Sequence, residues 1–190
     1  MQGMNLVHRW LCRSNRWKNL LRDELIPWVL DGAELGENVL EVGPGPGLTT
    51  RLLQHRVAQL TAIEIDAKLA SALTQQFEGS NVRVVHADAT RMPFEDTSFS
   101  GAVAFTMLHH VPSAKLQDQL LRQVWRVLKP GARFVGTDSL INLYMKVIHI
   151  ADTLVPIDPD TLPARLEAAG FSDVKTEVRD RRFRFSAVRA

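Results

Sequence analysis

A buried strand that runs directly into a glycine-rich loop is the feature that most limits how this chain can fold. Residues 39–50 read VLEVGPGPGLTT, and in them Gly43, Gly45 and Gly47 alternate with prolines before a helix begins. Glycine lets the backbone turn sharply and lets a ligand lie against it. Open α/β sheets bind ligands at the carboxyl ends of their strands. The motif therefore predicts an α/β fold with a ligand site at this strand end.

Strand-length apolar runs alternate with amphipathic stretches along the chain, which favours βαβ units and a parallel sheet. The predicted strands are 38–42, 60–65, 82–85, 101–105, 133–137, 174–178 and 183–188. The last two are joined so tightly that they must be antiparallel. The predicted helices lie at about 5–30 (with Pro27 bending or ending a segment), 48–54, 66–77, 115–128, 140–154 and 161–169. The sequence thus predicts a Rossmann-like three-layer sandwich, with a seven-stranded, mostly parallel sheet and a C-terminal antiparallel hairpin.

Composition narrows the class of protein further. The chain has 190 residues and a net charge of +2, which is too even to require a nucleic-acid partner. The first 22 residues hold basic side chains and no acid, and we interpret them as a solvated helix face rather than a binding patch. Cys12 is the only cysteine, so an internal disulfide is impossible and a reducing cytoplasm fits. Charged residues interrupt the apolar stretch 134–156, so we expect no membrane span.

The loop chemistry favours a cationic ligand over a dinucleotide. A dinucleotide loop reads G-x-G-x-x-G, whereas here Leu48 stands where the third glycine is needed. Pro44 and Pro46 lack the N–H groups that a pyrophosphate requires. Glu41, just before the loop, would repel phosphate and attract a sulfonium or ammonium group.

Two further acids follow the next strands. Glu64 lies about 20 residues past the loop, where a carboxylate can accept both ribose hydroxyl hydrogens. Asp66 competes for that role, but it is better explained as the cap of the next helix. Asp88 follows the third strand and could accept from an adenine amino group, with the N–H of Ala89 donating to the ring. Taken alone, Asp88 is better explained as a loop residue that caps a turn, but with Glu64 and the glycine loop at matching strand ends the adenine-binding interpretation is favoured.

Together these motifs resemble the class I S-adenosylmethionine-dependent methyltransferases of the small-molecule type. The glycine loop, the acid ending the second strand and the Asp-Ala after the third match, as do stretches 99–112 and 126–134 and the closing hairpin. The resemblance covers roughly residues 36–190. It implies one methyltransferase domain over 1–190, with N-terminal helices (1–35), a cofactor-binding core (36–138), and acceptor-side helices with the hairpin (139–190).

The resemblance also implies cofactor-binding roles at matching positions. The methionine end of S-adenosylmethionine would border the loop and the end of the fourth strand, while Glu64 would hold the ribose. The implied residues are Glu41, Gly43, Pro44, Gly45, Gly47, Glu64, Ile65, Asp88, Ala89, Phe105 and Thr106.

Residues for the acceptor and for catalysis are less constrained. His109 and His110 follow the fourth strand and are candidate general bases, although a packing or loop-fixing role explains them better. Tyr144 and Met145 could line an apolar pocket with the N-terminal tryptophans, or simply pack in the core. The other histidines look scattered along the chain, and we predict no metal site.

The leading hypothesis is methyl transfer from S-adenosylmethionine to a small, apolar or planar acceptor. An RNA methyltransferase is an alternative, but the loop after the fourth strand reads TMLH and lacks the Asn/Asp-Pro-Pro-aromatic motif of amino-adenine methylation. A non-catalytic S-adenosylmethionine-binding protein is another alternative. A nicotinamide oxidoreductase would need the other glycine spacing.

Overall fold

Seven strands form one continuous sheet in this computed structural model, which describes residues 14–149 and 152–190, with only the backbone at 144, 146 and 148. The order across the sheet is β3-β2-β1-β4-β5-β7-β6. The strands are β1 (Asn38–Val42), β2 (Gln59–Glu64), β3 (Val82–His86), β4 (Phe99–Phe105), β5 (Leu128–Ser139), β6 (Phe171–Arg179) and β7 (Arg182–Arg189). Strands β1 to β5 are parallel, and β7 runs antiparallel between β5 and β6. The predicted mostly parallel sheet with a C-terminal hairpin is confirmed.

Helices cover the sheet between these strands. They are α1 (Asn15–Leu20), a π-helical turn (Leu21–Leu25), α2 (Ile26–Val29), α3 (Leu48–Leu53), α4 (Ala67–Gln76), α5 (Ala114–Val127), α6 (Leu143–Ile148) and α7 (Leu162–Ala168). Short 3-10 turns at Ala89–Arg91 and Leu108–His110 follow β3 and β4. Within the described residues, no helix combines the length and apolarity needed to cross a bilayer.

Alternation along the strands divides the core between the two faces of the sheet, because neighbouring side chains point to opposite faces. One cluster packs under the N-terminal helical segment and α3, and includes Leu21, Val39, Leu53, Phe105 and Val135. The other packs under α5 and α7, and includes Leu40, Val124, Phe134, Leu166 and Phe185. Both faces are therefore buried, which confirms the three-layer arrangement.

The first predicted helix ends at Val29, close to the predicted end near residue 30, and its residues 5–13 lie outside the described part. Pro27 does not end the helix, but a π-helical turn changes to α-helix just before it. The N–H of Ile26 donates to the carbonyl of Leu21 in the preceding π-helical turn. Pro27 thus falls in the first turn of a new α-helical segment, where a missing N–H is tolerated.

The helix predicted over 140–154 is much shorter than expected. It starts after Asn142, whose side chain accepts from the N–H of Met145 at 3.0 Å, and it ends at Ile148. Beyond it, the N–H of Val155 donates to the carbonyl of His109 at 2.8 Å. This long-range bond holds the chain in an extended path across the end of the sheet, which local periodicity could not reveal.

Candidate functional site

A cavity of about 1020 Å³ lies at the carboxyl ends of the parallel strands. The loop after β1, the end of β2 and the turn after β4 form one part of its wall. Residues of α1, the π-helical turn, α6 and the turn between β6 and β7 form the rest. The volume suits a cofactor and a small second molecule together.

The glycine loop takes a backbone path that side chains would resist. Gly43, Gly45 and Gly47 have φ values of 65°, 54° and 82°, in the left-handed region. A Cβ at Gly47 would lie 2.4 Å from the side chain of Leu73 on α4. A larger residue at this position would need a left-handed backbone and a shift of the Leu73 side chain.

The three loop N–H groups are already used within the protein. Gly43 donates to the carbonyl of Ile63 at 3.0 Å, and Gly47 donates to the carbonyl of Pro44 at 3.0 Å. Gly45 donates to the carboxylate of Glu64 at 3.1 Å. None of these three groups remains for a phosphate, which agrees with the exclusion of a pyrophosphate ligand.

Glu64 closes the end of β2 and reaches into the cavity. Its Oε2 accepts from Gly45, and its Oε1 accepts from the N–H of Asp66 at 2.9 Å. Burial raises the pKa of the Glu64 carboxyl, while the N–H groups of Asp66, Gly45 and Ile65 act in the opposite direction. Because a carboxylate can accept about four hydrogen bonds, Glu64 retains capacity for hydroxyl groups of a ligand.

Asp66 is the predicted helix cap. Its Oδ1 accepts from the N–H groups of Lys68 and Leu69 at 2.8 and 3.1 Å, which satisfies two donors at the start of α4. Asp66 also lines the cavity, but its described contacts support the structural role.

The turn after β3 lies next to Glu64 without lining the cavity. The N–H of Ala87 donates to the carbonyl of Glu64 at 3.0 Å. Asp88 accepts from the N–H of Thr90 at 2.8 Å and so begins a 3-10 turn, which agrees with its interpretation as a turn cap. Ile65 does line the cavity and is 40% exposed, whereas Asp88 and Ala89 are absent from its wall.

Glu41 is buried behind the loop rather than in the cavity wall. Thr49, which does line the cavity, donates its hydroxyl to Oε1 of Glu41. Oε2 is buried and has no hydrogen-bond partner among the described residues. Burial raises the pKa of Glu41 to about 7; the hydroxyls of Thr49 and Thr50 lower it, and Glu64 raises it slightly. A nearby cation would stabilise the ionised form.

The end of β4 also reaches the cavity. Phe105 and Thr106 both line it, and Thr106 has a φ of 50°. The N–H of Thr106 donates to the carbonyl of Thr137 at 2.8 Å, which fixes this turn to β5. These two predicted residues therefore share a cavity with Glu64.

A buried histidine cluster follows β4. Nδ1 of His109 lies 2.5 Å from Oδ1 of Asp138, and its Nε2 lies 3.1 Å from Nε2 of His149. The nitrogens of His109, His110 and His149 lie within 4.8 Å of one another. The view of the other histidines as scattered is wrong for His149. Asp138 was also missed, although its place near the carboxyl end of β5 was a usable signal.

The acceptor-side predictions are only partly covered by the described residues. Met145 is buried and lines the cavity, as does Trp17 of α1. The guanidinium of Arg182 lies 5.7 Å from the centre of the Trp17 ring, which ties α1 to the hairpin. The side chain of Tyr144 lies outside the described part of the structure.

The groups around the loop fit S-adenosylmethionine. Glu64 has acceptor capacity for hydroxyls, Glu41 has a buried oxygen without a described partner, and the loop offers no glycine N–H to a phosphate. Such a set suits a ligand with a ribose and a positive charge.

Comparison with known proteins agrees with this geometry. A family model described as the methyltransferase domain matches residues 40–136. The chain is 30% identical to a demethylmenaquinone methyltransferase of Clavibacter sepedonicus over 171 residues, covering 74% of this chain and 67% of the relative. It is 42% identical to an rRNA adenine N-6-methyltransferase of Saccharopolyspora erythraea over 94 residues, covering 46% of this chain and 25% of the relative. The chain spans between a quarter and two thirds of the length of such relatives.

A solved structure supports the fold. The Haemonchus contortus phosphoethanolamine N-methyltransferase 2, in complex with phosphomonomethylethanolamine and S-adenosylhomocysteine, superposes with a TM-score of 0.73 at 14% identity. The match covers 96% of this chain and 56% of that one. With the family match and the site geometry, the conclusion is that this chain belongs to the methyltransferase-domain family of class I S-adenosylmethionine-dependent methyltransferases.

Proposed function

We propose that the protein transfers the methyl group of S-adenosylmethionine to a small-molecule acceptor that is apolar or planar. The observation that carries this proposal is that one cavity joins the Glu64 carboxylate and the glycine loop to a partly apolar wall from α1 and α6. A ligand held at the loop thus faces room for a second molecule. RNA methylation and binding without catalysis are outcomes that the experiment below distinguishes.

The cofactor would lie along the strand ends within residues 36–138. Glu64 accepts the ribose hydroxyls, Ile65 packs on the adenine, and the loop borders the methionine portion. Beside the cavity, Asp88 and Ala89 would read the adenine edge. The full proposed set is Glu41, Gly43, Pro44, Gly45, Gly47, Glu64, Ile65, Asp88, Ala89, Phe105 and Thr106.

The chemistry asks little of the protein beyond placement. The bound sulfonium supplies an activated methyl group, so the chain must orient the acceptor in line with it and exclude water. Trp17 and Met145 provide apolar surface for this purpose. His109 and His110 line the same cavity and are the candidates for removing a proton from an acceptor that needs one removed.

The second half of the cavity, whose wall belongs to residues 139–190 and the N-terminal helices, supports the proposed acceptor class. Apolar side chains there, including Leu20 and Leu21, favour a flat or apolar molecule over a nucleic-acid strand. We also propose a cytoplasmic location, because a chain with one cysteine cannot form an internal disulfide that an oxidising compartment would favour.

The test is a screen for methyl transfer from labelled S-adenosylmethionine. A thermal-shift assay first checks that S-adenosylhomocysteine stabilises the protein, as a ligand of the folded state must. Acceptors then include quinols, sterols, phenols, phosphorylated amines and ribosomal RNA, with Glu64→Ala as the control for cofactor-dependent label. We expect transfer to one of the small-molecule classes. Transfer to RNA alone, or binding without transfer to any acceptor, would contradict the proposal.

A further inference from the structure

Three histidine side chains converge on one wall of the cavity. His109 and His110 belong to the 3-10 turn after β4, and His149 follows α6. Their ring centres lie 4.2 to 5.1 Å apart, and one nitrogen of each lies within 4.8 Å of the others. His109 and His149 are 3% and 4% exposed, so their hydrogen-bond partners lie largely inside the protein.

The hydrogen bonds at the Nδ1 atoms of His109 and His149 turn the Nε2 atoms of the two rings towards each other. Nδ1 of His149 lies 2.7 Å from the carbonyl oxygen of Met145, which can only accept, so this nitrogen carries hydrogen. Nδ1 of His109 lies 2.5 Å from Asp138, whose carboxylate also accepts the N–H groups of His109 and Ser139 at 3.2 and 2.7 Å. The carboxylate oxygens of Asp138 act as acceptors in these contacts, so Nδ1 of His109 is placed to donate to Oδ1.

Both Nε2 atoms then present lone pairs to each other at 3.1 Å. A positive ion beside these two nitrogens would bind both of them, and one ring nitrogen of His110 lies within 4.8 Å of the pair. A tetrahedral zinc ion with Zn–N bonds of about 2.0–2.1 Å places its ligand nitrogens about 3.3 Å apart. That spacing is close to the 3.1 Å between the Nε2 atoms of His109 and His149.

We propose that His109, His110 and His149 bind one divalent transition-metal ion of the zinc type. Imidazole nitrogen suits such ions better than it suits magnesium or calcium. Asp138 and the Met145 carbonyl hold the two Nδ1–H groups and so aim the Nε2 atoms at the ion, the arrangement that ligating histidines usually have in proteins. No cysteine or acid is needed as a fourth ligand, because a catalytic site keeps an open position.

The location of the histidine cluster indicates where the open coordination position of the ion would face. All three histidines line the cavity together with Asn142 and Met145, away from the glycine loop in sequence. The open position would therefore face the cavity in which the proposed acceptor lies. This consequence rests on the proposed function, whereas binding of the ion does not.

Metal binding can be tested without cofactor or acceptor. The full chain, treated with a chelator and dialysed, is titrated with Zn²⁺ by calorimetry and with Co²⁺ by visible absorption. We expect one ion per chain. Asp138→Asn should weaken Zn²⁺ binding about 10- to 100-fold, as loss of a partner behind a ligand does. His110→Ala, at a half-buried position, should weaken it more than Asp138→Asn.

His55→Ala is the matched control, since His55 is exposed and lies outside the cluster. It should bind Zn²⁺ like the unchanged protein, and circular dichroism checks that each variant is folded. Binding that His110→Ala leaves intact would overturn the three-nitrogen site. So would an unchanged chain that takes up no Zn²⁺ while nitrogen NMR finds an imidazolium at His109 or His149, because the charge would then be a stored proton. Titration of the same samples with S-adenosylhomocysteine tests the proposed function separately.

Discussion

Replacing Glu64 with alanine should weaken S-adenosylhomocysteine binding by about 1.5–3 kcal/mol, the range for hydrogen bonds to a charged group. The structure supplies the reason. The carboxylate already accepts one N–H at each oxygen, at 3.1 Å from Gly45 and 2.9 Å from Asp66. Its remaining acceptor capacity is available to a ribose hydroxyl. The loss corresponds to a rise in Kd of about 10- to 150-fold.

The same substitution should also lower stability, because two backbone N–H groups lose their acceptor. Calorimetry on protein shown to be folded separates the two effects, and urea unfolding measures the second. Glu64→Gln keeps one carbonyl acceptor and the side-chain shape, so its Kd should lie between those of the unchanged protein and Glu64→Ala.

Asp66→Ala is the matched control, two residues away on the same cavity wall. It removes the cap of α4 and should cost about 1 kcal/mol of unfolding free energy, without a matching loss of affinity. If folded Glu64→Ala binds S-adenosylhomocysteine with the original Kd, Glu64 has no place in the cofactor site. A larger affinity loss in Asp66→Ala than in Glu64→Ala would equally refute the reasoning.

Three further predictions concern the same cavity. Burial raises the pKa of Glu41 from 4.5 to about 7 in the folded state. The stability that this carboxyl group contributes is therefore complete below about pH 4.5, and it is lost as the pH rises to about 7. Urea unfolding should therefore show a loss of about 3 kcal/mol over this window that Glu41→Gln lacks, and parallel pH profiles would contradict this. Gly47→Ala should destabilise the protein by about 1–3 kcal/mol more than Gly79→Ala. Both glycines have a positive φ, but only at Gly47 would an added Cβ press on a neighbouring side chain. Equal losses of unfolding free energy in urea would refute the steric argument. Trp17→Ala should weaken binding of the acceptor found in the screen by about 1.5–3 kcal/mol, as loss of a buried apolar side chain does. The Kd for S-adenosylhomocysteine should stay unchanged. The reverse pattern in calorimetry would show that Trp17 contacts the cofactor instead of the acceptor.

The parts of the molecule that local chemistry determines could be predicted from the sequence. Strand β1 was predicted with its observed bounds, because a short apolar run ends at a glycine loop that permits no continuation. Asp66 was predicted as a cap because its side chain bonds to N–H groups only two and three residues away. Glu64 reached the cavity because side chains at the carboxyl ends of parallel strands share one edge of the sheet.

The parts that depend on distant contacts could not be predicted. Beyond the short helix α6, Val155 bonds to His109, a contact between residues far apart in sequence. The histidine cluster joins residues 40 positions apart and is oriented by Asp138, 29 positions from His109. No spacing rule for metal ligands covers such separations. Asp88 caps a turn beside the cavity, and its role at the adenine edge stays a prediction.

The most direct test of the central claim, that the strand ends hold an adenosyl sulfur compound rather than a dinucleotide, is calorimetry of the unchanged protein with S-adenosylhomocysteine and with NADH. The structure predicts saturable binding of S-adenosylhomocysteine at one site per chain and no binding of NADH, because the three glycine N–H groups of the loop already have partners. Saturable binding of NADH without binding of S-adenosylhomocysteine would contradict the account.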